Sequence, residues 1–156
     1  MATSEQSFGC VVDTNIVLKL YFEQDGSDKA RALFALLDSD GDNLFYVPDL
    51  FYAECTNAFS NYVRLGTYTA MEARADLAQL LALRLHVVPT ADLAAQALDI
   101  ALKHRISGSD ACYVALADLV KAPLITADEK LIRSLAGKEY AVHSLDTFDI
   151  PPSAAD

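Results

Sequence analysis

The run Phe8-Gly9-Cys10-Val11-Val12 is apolar and rich in β-branched residues, stops on a carboxylate at Asp13, and passes into Ile16, Val17, Leu18, Leu20 and Tyr21 at helical spacing. A strand with no polar alternation is buried on both faces, and such strands belong to parallel sheets covered by helices. The chain therefore opens on a parallel strand and its crossover helix. Asp13 falls just past the strand's carboxyl end, where open α/β sheets bind their ligands. An Asp in that place can equally cap the helix that follows. Its role depends on whether other isolated acids converge on it.

The same alternation continues. A loop over residues 23–27 leads to Asp28, a cap for a helix through Leu37, and a polar turn follows at Asp38-Ser39-Asp40-Gly41-Asp42-Asn43. That turn lacks the Glu at its twelfth position that a calcium loop requires. Leu44-Phe45-Tyr46-Val47 reads as a second strand stopped by Pro48, with Asp49 capping a helix to about Leu65 that Gly66 closes. A helix over 69–83 precedes a third strand, Leu85-His86-Val87-Val88, and Thr90 caps a helix to about Arg105. Ser107-Gly108-Ser109 breaks the chain before a helix from Asp110 to Lys121; Pro123-Leu124-Ile125-Thr126 is a fourth strand and 128–135 a helix. Tyr140-Ala141-Val142 reads as a fifth, edge strand, and 151–156 as a frayed tail. Alternating strands and helices predict a three-layer α/β/α sandwich around a parallel sheet of about four to five strands. One domain over residues 1–156 is expected, with its core at 8–145 and short flexible termini.

Three acids stand alone. Asp13 is the only charged residue from Gln6 to Leu18, Glu54 from Leu50 to Val63, and Asp110 from Ile106 to Ala117. Glu54 shares a helix face with Leu50, Ala53, Asn57 and Ala58, and Asp110 leads a face made by Tyr113, Val114 and Ala117. Burying an unpaired carboxylate costs several kcal/mol, and no Lys or Arg is near in sequence to pair with any of them. They need one another and a cation. Asp128 follows a strand as Asp13 does, although capping the next helix explains it as well; Thr126, two residues earlier, can offer its hydroxyl to the same place. Asp92, Gln96, Asp99 and Lys103 are the contrasting case, a solvated helix stripe with Asp99 and Lys103 four apart.

Oxygen donors without His or Cys favour Mg²⁺ or Mn²⁺ over zinc. A site of this kind at the end of a parallel sheet points to metal-assisted phosphodiester hydrolysis. The histidines, His86, His104 and His143, are scattered, and the three cysteines, Cys10, Cys55 and Cys112, lie in apolar segments as small hydrophobes. No apolar run is long enough to span a membrane, and residues 1–7 carry no secretory pattern, so a cytoplasmic protein is expected. Twelve basic against 22 acidic side chains, a net charge of −10, opposes binding to a polyanion unless acids are neutralised by metal. Lys103 and Arg105 before the Ser107 break, and Lys130 and Arg133 after Asp128, are the candidates for a local positive rim that meets a phosphate backbone.

The series Val12-Asp13-Thr14-Asn15, Glu54-Cys55-Thr56-Asn57-Ala58, Ser109-Asp110-Ala111-Cys112-Tyr113-Val114-Ala115-Leu116-Ala117 and Leu124-Ile125-Thr126-Ala127-Asp128 resembles the PIN-domain ribonucleases. In size the chain is similar to the VapC toxins of bacterial toxin–antitoxin pairs. The resemblance implies that Asp13, Glu54, Asp110 and Asp128 are the metal-binding catalytic acids and that Thr14, Asn15, Asn57 and Thr126 support them. It implies a Mg²⁺- or Mn²⁺-dependent endoribonuclease with a cognate antitoxin. A symmetric homodimer is the usual state for such a chain. The alternatives are a PIN-fold module that binds RNA or protein without cleaving, and an RNA-processing nuclease without an antitoxin. A haloacid-type phosphatase would need a second acid where Asn15 stands.

Overall fold

The computed structural model describes residues 7–39 and 41–153. The leader-free reading of residues 1–6, Asp40 of the polar turn, and residues 154–156 of the tail lie outside them. Among these residues five strands, β1 (Gly9–Val12), β2 (Leu44–Pro48), β3 (Leu85–Val88), β4 (Leu124–Thr126) and β5 (Val142–Ser144), form one parallel sheet in the order β3-β2-β1-β4-β5. The α/β/α expectation holds. β1 is central, and Cys10, Val11 and Val12 are fully buried, as a run without polar alternation requires.

The strand order decides where the site falls. From β1 the chain builds outward through β2 and β3, then returns to the other side of β1 to lay down β4 and β5. The crevice between β1 and β4 is thus the switch point of the sheet, the place where open α/β sheets bind ligands. Val12 is in register with Ile125, and the Asp13 N–H extends the ladder to the Ile125 carbonyl at 3.1 Å. Asp13 and Thr126 are therefore neighbours at the carboxyl ends of adjacent strands.

Among the described residues seven helices connect these strands: α1 (Thr14–Leu18), α2 (Ser27–Ser39), α3 (Leu50–Arg64), α4 (Ala70–Leu81), α5 (Thr90–His104), α6 (Gly108–Val120) and α7 (Glu129–Leu135). Helix α6 is buried at seven successive positions, Ala111 through Ala117, because it packs against β1, β2 and β4 on one side and α5 on the other. A helix apolar on all sides has no other stable place. Its first turn consequently delivers Asp110 to the switch point.

Several local expectations shift. Helix α1 ends at Leu18, and Leu20 and Tyr21 lie in turns that follow it. Helix α6 starts at Gly108 with Ser107 as its cap, so Ser107-Gly108-Ser109 is the helix start instead of a break before it. The edge strand is Val142–Ser144, two residues beyond Tyr140–Val142, because pairing with Leu124–Thr126 sets the register while Tyr140 packs its ring against His104. Asp49 precedes α3 but makes no capping bond to it. Its Oδ1 instead accepts from the N–H of Thr90 at 2.9 Å, and from the Thr90 hydroxyl, while the Leu50 N–H donates to Thr90 Oγ1 at 3.3 Å. The two helix starts satisfy each other's orphan groups across the β2–β3 pair. The three cysteines are free and buried, and among the described residues no helix is long and apolar enough to cross a membrane.

Candidate functional site

Asp13 is only 7% exposed, and its carboxylate makes no capping bond to α1. Its Oδ2 accepts from Thr126 Oγ1 at 2.8 Å and from Asn15 Nδ2 at 3.3 Å. Asn15 also donates to Thr126 Oγ1 (3.3 Å) and accepts the Ala127 N–H on Oδ1 (3.0 Å), which clips the end of β1 to the turn after β4. The Asp128 N–H donates to Thr126 Oγ1 at 3.1 Å. Burial pushes the Asp13 carboxyl up to about 7; the Thr126 bond pulls it down, and the charges of Asp110 and Glu54 add to the rise. Those two charges place Glu54 and Asp110 within electrostatic reach of Asp13. Because Thr126 serves both Asp13 and Asp128 from a fully buried position, Thr126→Val should destabilise the fold by about 1–3 kcal/mol, the cost of orphaned buried polar groups. Urea unfolding in chelator measures it.

Glu54 lies one turn into α3 and is held by two hydroxyls. Tyr113 OH donates to Oε1 at 2.6 Å, Thr14 Oγ1 lies 3.2 Å from the same oxygen, and the two hydroxyls are 2.8 Å apart. Tyr113, 1% exposed, belongs to the site although its place in the pattern is that of a core residue on the face of α6. One signal was available. A tyrosine inside a helical run otherwise made of Ala, Cys, Val and Leu must find a buried partner for its O–H.

Asp110 sits in the first turn of α6, and its N–H donates to Ser107 Oγ at 3.0 Å. Its carboxyl is half-buried and raised, chiefly by burial; the Ser107 hydroxyl pulls it down, the Asp128 charge raises it and Lys130 lowers it. Asp128 does cap α7, accepting the Leu131 N–H at 3.1 Å. The capping reading therefore describes its geometry, while its charge still reaches Asp110. Arg105, Ser107, Asp110, Asp128 and Lys130 are among the walls of a cavity of about 130 Å³.

The other sequence-based candidates divide. Thr14, Asn15 and Thr126 enter the network. Asn57 is exposed, and no hydrogen bond joins its side chain to the acids. Arg105 and Lys130 line the cavity beside Asp110, whereas Lys103 pairs with Glu139 at 3.7 Å and Arg133 is exposed on α7, neither of them lining that cavity. Lys103 is drawn to Glu139 because that acid, from a different element, lies within reach of its long side chain, so the expected Asp99–Lys103 helix pair does not form. As the side chains stand, no group of three or more His, Cys, Asp or Glu among the described residues is arranged to hold a metal ion. Glu54 is engaged by Tyr113 and Thr14, and Asp128 by the Leu131 N–H. The donors are all oxygen, which suits a hard divalent cation in kind. Closing on one would require Asp128 to share its capping bond and Glu54 to use the oxygen that Tyr113 and Thr14 leave free.

Fold and site together define an α/β protein with an acidic centre at the switch point of a five-stranded parallel sheet. The sequence profile of the PIN domain matches residues 10–138, and the chain belongs to the PIN domain family. It is 30% identical over 125 residues to Ribonuclease VapC3 of Pyrobaculum aerophilum, covering 78% of this chain and 90% of that protein. Among solved structures, PAE2754 from Pyrobaculum aerophilum superposes with a TM-score of 0.65 at 18% identity, over 91% of this chain and 93% of that one. VapBC2 from Rickettsia felis, bound to a DNA fragment from their promoter, gives 0.62 at 15% identity over 88% and 98%. A toxin–antitoxin complex from Klebsiella pneumoniae gives 0.58 at 19% identity over 87% and 97%. These structural likenesses are likenesses of fold.

Proposed function

We propose that the chain is a divalent-metal-dependent endoribonuclease and the toxin of a toxin–antitoxin pair. The observation that carries this reading is the gathering of Asp13, Glu54, Asp110 and Asp128 at the β1/β4 switch point, where Asp13 feels Asp110 and Glu54, and Asp110 feels Asp128. Family membership and the relative named a ribonuclease support it. The four acids would hold Mg²⁺ or Mn²⁺, which, when bound, would activate water and offset charge on the phosphate oxygens. The protein's own residues do the positioning. Thr126 and Asn15 fix Asp13, Ser107 sets the start of α6 beneath Asp110, and the burial of Asp13 and Thr126 keeps the bond between them strong by excluding water.

Arg105 and Lys130 supply the positive positions that a chain of net charge −10 needs beside its acids in order to meet a phosphate backbone. Neutralising both, as Arg105→Ala with Lys130→Ala, should weaken RNA binding across sequences and reduce the slope of log affinity against log salt by about 2, one per phosphate contact. Fluorescence anisotropy over a salt series measures it. For the antitoxin, a cavity of about 520 Å³ whose walls include Tyr21, Phe22, Tyr62 and Tyr68, with Glu23, Glu72 and Asp76 beside them, suits a segment carrying both apolar and basic side chains. Leu98 and Leu102, exposed one turn apart on α5, offer apolar surface for the homodimer.

A second reading, a PIN-fold module that binds without cleaving, is favoured by the absence of a ready-made three-carboxylate group among the described residues. Incubation of the purified protein with structured RNA, in Mg²⁺, in Mn²⁺ and in chelator, separates the two. Cleavage that requires the cation is expected. RNA binding with no cleavage in either ion identifies the binding module.

A further inference from the structure

We infer that Tyr113 is a positioning residue of this site: backed by Thr14, it ties one oxygen of Glu54 and so leaves the other oxygen free for a divalent cation. The inference rests on the metal-site reading above.

Three contacts join three groups that own two protons. The shortest, 2.6 Å from Tyr113 OH to Glu54 Oε1, takes the tyrosine proton, since a charged acceptor draws in the donor most strongly. The threonine proton then goes to the Tyr113 oxygen at 2.8 Å in preference to Glu54 Oε1 at 3.2 Å. The result is a directed chain, Thr14 to Tyr113 to Glu54, in which each bond polarises the next. Both hydroxyl contacts converge on Oε1, and no hydrogen bond among the described residues engages Oε2. A carboxylate tied by one oxygen keeps its plane and swings little, which leaves the second oxygen oriented.

The helix explains why this residue is the one that reaches. Tyr113 follows Asp110 by three residues, so the two lie on one face of α6, with the acid in the first turn at the switch point and the phenol one turn deeper. One helix thus supplies an acid of the site directly and orients another acid from α3. Packing alone would be served by phenylalanine at this almost fully buried position. The hydroxyl is the part that packing does not explain.

The test is Mn²⁺ binding by isothermal titration calorimetry, with the Mn²⁺ electron paramagnetic resonance spectrum as a second readout, for wild type, Tyr113→Phe, Glu54→Gln and the double variant. Removing a partner that orients a metal ligand lowers metal affinity by roughly 10–100-fold. Tyr113→Phe is expected to weaken Mn²⁺ binding by about 10-fold, at the lower end of that range, because Thr14, freed of the phenol, turns its proton to Glu54 Oε1. In the Glu54→Gln background the same substitution should have no further effect, as two residues acting through one ligand are not additive. Thr14→Val, which breaks the chain at its first link, should lower affinity less and in the same direction, and it serves as the test should Tyr113→Phe not fold. Wild-type affinity in Tyr113→Phe, or an undiminished loss when Glu54 is already Gln, overturns the positioning role and leaves the metal site standing. A wild-type protein that binds no Mn²⁺ overturns the metal-site reading itself, and this inference with it.

Discussion

Asp13→Asn, Glu54→Gln and Asp110→Asn should each reduce RNA cleavage by roughly 10²–10³-fold, the loss typical when one preorganised electrostatic partner of a transition state is removed. Asp99→Asn should leave cleavage unchanged. The contrast lies in the surroundings and not in the residue type. Asp99 is exposed on α5, whereas Asp13 is buried among Thr126, Asn15 and the charges of two other acids. Each amide keeps the shape of its acid, so circular dichroism should report an intact fold in all four. Initial rates on a fluorescent RNA in saturating Mn²⁺ measure the effect, and near-wild-type rates in any of the first three would remove that residue from the site.

The second large effect concerns stability without metal. In chelator, the wild-type protein should grow less stable as pH rises toward neutrality, because the Asp13 carboxyl is raised from its ordinary 3.8 to about 7 in the folded state. Between those values the folded chain holds a proton that the unfolded chain has released, which favours folding. That contribution is full below 3.8 and is lost progressively as pH climbs through about 7. The two values, 3.8 and about 7, correspond to about 4 kcal/mol at 1.36 kcal/mol per pH unit. Asp110 is raised in the same direction and adds to the trend. Asp13→Asn cannot ionise, so in chelator it should melt close to wild type at pH 5 and above it at pH 8. At about 2–4 °C per kcal/mol for a chain of this size, the gap at pH 8 is on the order of 5–15 °C. Divalent cation should raise the wild-type Tm by binding only the folded site, and the variant should lose most of that rise. A variant that melts well below wild type at pH 8 would mean that the Thr126 and Asn15 bonds outweigh the burial of charge. A gap of the expected sign at pH 8 would mean that the site trades stability for function.

Much of this candidate site was legible because isolation is visible in one dimension. Asp13, Glu54 and Asp110 each stand in long uncharged stretches, and burial without a local counter-charge implies a distant partner. Asp128 was less legible, since capping and site membership predict the same residue after the same strand, and the structure shows that it caps while its charge is felt at Asp110. Tyr113 passed for core because a phenol one turn into an apolar helix fits the period of that helix whether or not its O–H reaches anything. Lys103 passed for a rim residue because closeness to the Ser107 break in sequence does not say which way a long side chain turns.

The sequence by itself determined that β1 is a doubly buried parallel strand, that one face of α6 carries Asp110 together with Tyr113, Val114 and Ala117, and that the chain alternates strand and helix. Each of these is a statement about the faces of an element, and periodicity encodes those directly. What covers each element was decided only in three dimensions. The order β3-β2-β1-β4-β5 brings Asp13 beside Thr126 across 113 positions of chain, and Tyr113 to Glu54 across 59. The same assembly moved the edge strand to Val142–Ser144 and exchanged the caps of α3 and α5 between Asp49 and Thr90. The reason is that a buried polar group must be satisfied, but many partners can satisfy it, and pattern carries no address for the one that does.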